Sequence, residues 1–152
     1  MTPYFLQEAL AEEIPLMFEQ YRARTPSCTL GKLNVYKQDL PIQENADEED
    51  QFPFVLIVIL GGSGDIQSGD VVQVNFIVGC YDDNPQQPSY VDVLHILQMI
   101  KARFAKDPLL AGQFVASDKV KWELEGDVYP YYYGGMEMEF TVPAIVREDP
   151  YI

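Results

Sequence analysis

The stretch FPFVLIVIL, Phe52 to Leu60, is apolar almost throughout, and Val55, Ile57, Val58 and Ile59 are β-branched. Its length and its bounds, Pro53 and Gly61-Gly62, predict a strand rather than a buried helix. Strand side chains alternate between faces. Phe54, Leu56, Val58 and Leu60 therefore share one face, and Val55, Ile57 and Ile59 the other. Both faces are apolar and both need cover, which predicts the central strand of a sheet. Val71 to Tyr81 follows, with Val72, Val74, Phe76 and Val78 on one face and Gln73 and Asn75 on the other. It is expected to pair antiparallel with Phe54–Leu60 through a glycine-rich hairpin loop, Gly61 to Asp70. Leu33 to Leu40 alternates less cleanly and predicts an edge strand.

Two more alternating segments close the chain. Val120, Trp122 and Leu124 alternate with Lys119, Lys121, Glu123 and Glu125. Met136, Met138, Phe140 and Val142 alternate with Glu137, Glu139 and Thr141. The apolar side of each is expected in the core, and the Lys row is expected to share a sheet face with the Glu row.

Two segments have helical spacing. After Thr2-Pro3, a hydroxyl cap with proline at the first helical position, Leu6, Leu10, Ile14, Met17, Phe18 and Tyr21 form one stripe. Pro15 lies inside it and is expected to kink or split the helix near Ile14. Ser89 with Asp92 three residues on resembles a capping box, and a helix from Tyr90 to about Lys106 should follow. Its stripe is Val93, Leu94, Leu97, Ile100 and Phe104, with Lys101, Arg103 and Lys106 near the negative end of the helix dipole. The fold class predicted is α+β: a mostly antiparallel sheet of about five strands with two helices on one face, in the order α-β-β-β-α-β-β.

At 152 residues the chain is expected to be a single domain, 1–152, large enough to hold a core without staples. The formal net charge is -14. That balance opposes specific binding to nucleic acid phosphates and to anionic membrane surfaces. No apolar run approaches the ~20 residues of a membrane span. The start, MTPYFLQEALAEE, lacks the basic and apolar regions of a signal peptide. Cys28 and Cys80, far apart in sequence, predict reduced buried thiols in a cytosolic protein rather than a disulfide framework.

Candidate chemistry is sparse. Glu44, Asp47, Glu48, Glu49 and Asp50 crowd one stretch, which predicts a solvated, mobile acidic loop at about 43–51, open to a partner. It lacks the fixed glycine and ligand spacing of a calcium loop, so no metal is expected. The glycines from Gly61 to Gly69 lead into a strand and lack a phosphate-loop lysine, so no nucleotide or other cofactor is expected. His95 is the only histidine, and no serine or cysteine signature flanks it. The pairs Glu123/Glu125 and Glu137/Glu139 fall on solvent-facing rows, which is a poor setting for acid–base catalysis. No catalytic residue is assigned, and an enzyme is not expected. Between the last two strands lies GDVYPYYYGG, whose Tyr129, Tyr131, Tyr132 and Tyr133 are candidate anchors of a subunit or partner interface, or else packing over the sheet edge.

This element order, with FPFVLIVILGGSGD, VNFIVGCYDD, YVDVLHILQMIKARF, DPLLAGQF and YPYYYGGMEMEFTVPAI, resembles the tail terminator (tail-completion) proteins of long-tailed bacteriophages. The resemblance covers most of the chain and rests on length and order more than on invariant motifs. It implies a structural virion protein, made in the host cytoplasm and carried in the tail or neck. It implies a homo-oligomer, a hexameric ring, that caps the tail tube, stops its polymerisation and joins it to the head. Its partners would be the tail tube protein and a head-completion or connector protein, with DNA passing through unbound. The acidic and Tyr-rich stretches match no motif of that family. Other readings are another neck, head-completion or minor tail protein, or a monomeric acidic binding module.

Overall fold

The computed structural model describes residues 2–24, 32–40, 51–65, 69–81, 90–125 and 130–142. The elements are α1 (Thr2–Arg24), β1 (Asn34–Lys37), β2 (Phe54–Asp65), β3 (Gly69–Tyr81), α2 (Tyr90–Lys106), β4 (Leu109–Leu110), β5 (Phe114–Leu124) and β6 (Tyr131–Val142). The fold is α+β, with two helices and one mixed, curled sheet of six strands, ordered β1-β2-β3-β6-β5-β4.

The expected pairings of β2 with β3 and of β5 with β6 are present and antiparallel. Several expectations are corrected. The sheet has six strands rather than about five, because Leu109–Leu110 pairs with Val115 and Phe114. It is mixed, because β1 runs parallel to β2; the connection from Gln38 to Pro53 is long enough for the crossover that a parallel pair needs. β1 does lie at an edge, as expected, and Gln38 ends it at a φ of 66°. The Gln38 side chain then continues the pairing: Oε1 accepts from Ile59 N at 3.0 Å and Nε2 donates to Ile59 O at 3.1 Å.

The strand Phe54–Leu60 is not central. It lies second from an edge, and β3 and β6 occupy the middle. Nor does it stop at Gly61: β2 runs through the glycines to Asp65, with a register shift between Ile59 and Gly61. Leu60 keeps to the face it shares with Phe54 and Leu56 and is 52% exposed there.

One face of the sheet carries the main core: Val55, Ile57, Val74, Phe76, Val78, Met136, Met138 and Phe140 pack with both helices. The α1 stripe predicted from sequence is buried there, with Tyr21 partly so. Pro15 does not split α1, which is a single helix. Its ring is exposed. Gln7 is buried beside the stripe and donates to Ile57 O at 2.9 Å and to Gln38 Oε1 at 3.0 Å. In α2 the buried set is Val93, Ile96, Leu97, Met99, Ile100 and Phe104; Leu94, expected in the stripe, is only half-buried. Met99 lines a groove with Met17 and Tyr21 of α1, a second contact that a single-stripe reading overlooks. Arg103 locks this end of the molecule: Nε donates to Glu13 Oε1 at 2.7 Å, Nη1 to Asp107 O, and Nη2 to Leu109 O at 3.1 Å.

Cover on the helix side of β5 runs out along the strand: Phe114 and Ala116 at its start are buried. Val120, Trp122 and Leu124 face the helix side in register with Met138, Met136 and Gly134. Val120 packs against the core as expected, but Trp122 is 42% exposed and Leu124 38%, so the expected core role is corrected for those two.

Candidate functional site

The second face of the sheet, away from the helices, has two halves. At one end Phe54 stands opposite Gly79, Gly79 opposite Tyr133, and Tyr81 opposite Tyr131. Rings fill this end: Phe52 lies 5.1 Å from Phe54 and 5.3 Å from Tyr131, Tyr81 lies 5.3 Å from Tyr131, and Tyr36 lies 6.3 Å from Phe54. All are tilted pairs within the favourable range for aromatic contacts. Phe54 is 1% exposed, because its ring lies over Gly79.

The other half is polar. Gln73 faces Glu139, Asn75 faces Glu137, and Glu137 faces Lys121 from the far side. Opposite charges thus meet across neighbouring strands, as the alternation predicts. Leu60, Gln73, Lys119, Lys121, Glu137 and Glu139 line a cleft of about 190 Å³. Of its carboxylates, Glu137 stands in register with Lys121 and Glu139 with Gln73. Farther along this face Val115 pairs with Leu109, and both are exposed.

The candidate tyrosines separate. Tyr131, Tyr132 and Tyr133 begin β6 rather than a loop. Period two divides them: Tyr131 and Tyr133 join the ring cluster, while Tyr132, opposite Cys80, packs against the main core. All three are half-buried. Phe52 and Tyr81, their ring partners, and Tyr36, which reaches Phe54, come from three other segments, and only the positions at strand ends hint at the cluster. Tyr129 and the acidic positions Glu44, Asp47, Glu48, Glu49 and Asp50 lie outside the described residues, as does Cys28. Cys80 is a free thiol, and burial, with the Asp92 charge adding, pushes its pKa well up. His95 is exposed, with its ring 6.1 Å from Tyr21. Among the described residues no three His, Cys, Asp or Glu side chains converge as metal ligands would. No described helix is long and apolar enough to cross a membrane.

A comparison with known protein families finds none that the chain matches, and a comparison with curated proteins finds no relative.

Proposed function

We propose that this protein is a ring-forming structural subunit that ends the tail tube of a long-tailed phage and joins it to the head. The observation that carries the reading is the second face of the sheet. No described helix packs on it, and it presents Leu60, Leu109 and Val115 beside matched rows of charge. Exposed apolar side chains rimmed by charge suit a neighbouring subunit. On the opposite side of the domain, α1 exposes Phe5 and Leu16. Two unlike apolar surfaces are what a head-to-tail contact needs, and such contacts close rings. The charge of -14 fits a conduit, since a negative wall does not hold a passing phosphate backbone.

Deleting the gene from its phage tests this. The expected result is full heads without joined tails, and tubes that overrun their normal length. Infectious particles with tails of normal length would sink the reading. Heads with no tube at all would point to a tube subunit or an initiation factor instead.

A further inference from the structure

Among the described residues, strand β5 has an open edge. β4 covers only Phe114 and Val115, and Ala116 N donates to Pro108 O at 2.8 Å. From Asp118 to Leu124 no described strand pairs with its outer side. This same stretch exposes Trp122 and Leu124. We propose that this edge pairs with the same edge of a second copy, antiparallel, about a two-fold axis at Trp122.

Charge selects the partner and the register. The sequence from Lys119 reads Lys, Val, Lys, Trp, Glu, Leu, Glu. Folded back on itself at Trp122, it sets Lys121 opposite Glu123 of the second copy and Lys119 opposite Glu125. A centre at Val120 would set Lys119 against Lys121, and a centre at Leu124 would set Glu123 against Glu125. Like charges directly opposite are destabilising, so only the centre at Trp122 satisfies both rows. On the other face Trp122 meets its own copy, and Val120 meets Leu124, which gives the exposed apolar row its cover.

The backbone is in phase with this register. Glu125 N donates to Tyr133 O at 3.0 Å across the β5–β6 ladder. Peptide groups alternate in direction along an antiparallel strand. Those of Lys121 and Glu123 therefore point to β6, and those of Val120, Trp122 and Leu124 point outward. The outward N–H and C=O groups are the ones that a centre at Trp122 brings face to face: Trp122 with Trp122, and Val120 with Leu124. An open edge invites such pairing, and lysines on it normally discourage strangers. Here each lysine has a glutamate waiting on a second copy, so the edge excludes most strands and accepts itself.

The pair is distinct from the proposed ring, which is built from head-to-tail contacts, and it does not rest on that reading. It describes the free chain before assembly. The test is sedimentation of the wild-type chain and two variants, Lys121→Glu and Glu123→Lys. The wild type should dimerise. Each variant alone should associate at least about tenfold more weakly, since it sets like charges opposite one another. Mixed in equal amounts they should form a 1:1 pair, because every position then faces its opposite. The double variant Lys121→Glu/Glu123→Lys should dimerise as the wild type does. Trp122, the only tryptophan, gives a local readout: its emission should shift to the blue on association. Lys121→Glu also faces Glu137 in its own chain, so its melting temperature is recorded alongside. A wild type still monomeric at about 1 mM overturns the proposal. So does a dimer that both variants leave intact, or a mixture that fails to pair. Gene deletion judges the ring separately.

Discussion

Gly79 is where the aromatic half of the second face is most tightly built. A Cβ added there would stand 2.4 Å from Phe54 Cε2, 2.6 Å from Phe54 Cζ and 3.0 Å from Phe52 Cε1. Carbon atoms in ordinary contact sit at about 3.5–4.0 Å, so the overlap is more than an ångström. Phe54 is fully buried and cannot swing aside without leaving its rotamer or pushing Phe52, Tyr36 and Tyr133. Such overpacking costs about 1–3 kcal/mol. Losing a glycine from the unfolded chain returns about 0.4–1 kcal/mol. Gly79→Ala should therefore lower stability by about 1–2 kcal/mol, or Tm by about 3–8 °C for a chain of this size. Gly135 on the same face is the control: its added Cβ would meet nothing nearer than 3.6 Å, so Gly135→Ala should stay within about 0.5 kcal/mol of wild type. Urea melts decide it. In a double-mutant cycle, Phe54→Leu should absorb most of the Gly79→Ala cost, because the ring atoms in the way are gone. If Gly79→Ala is as stable as wild type, or the two changes simply add, the ring does not press on Gly79 and the account of this face is wrong.

The helix layer gives further expectations. Leu97→Ala should cost about 2–5 kcal/mol in urea melts, as truncation of a fully buried leucine does, and a change under about 0.5 kcal/mol would remove it from the core. Gln7→Ala removes one of two donors from Ile57 O, which keeps Gln38 N, and one of two from Gln38 Oε1, which keeps Ile59 N, and should cost about 0.5–1.5 kcal/mol, with hydrogen exchange rising first near Ile59. Cys80, probed in a Cys28→Ser background, should react with iodoacetamide only as fast as the protein opens; its pKa is raised in the folded state, so stability should fall as pH climbs above the ordinary thiol value near 9.0.

Much of the architecture was legible in the sequence because it depends on local periodicity. The α1 stripe, the limits of α2, the β2–β3 pairing and the alternation of β5 and β6 all follow from periods of 3.6 and 2. Even the matched rows of Lys121 and Glu137 follow, once two amphipathic strands are placed side by side. What failed was anything set by long-range position. The strongest apolar run was taken as the centre of the sheet, yet β2 lies next to an edge, because hydrophobicity reports burial on both faces and not the number of neighbours. Phe54 is buried by rings from β1 and β6 and by Phe52, over Gly79 of β3, and no local pattern ties those segments together. The three consecutive tyrosines looked like one anchor and are split between two faces by the pleat. Trp122 shows the boundary most plainly. Alternation assigned it to the helix side, correctly, but its exposure depends on how far along β5 the helices reach, and that exists only once the chain has folded.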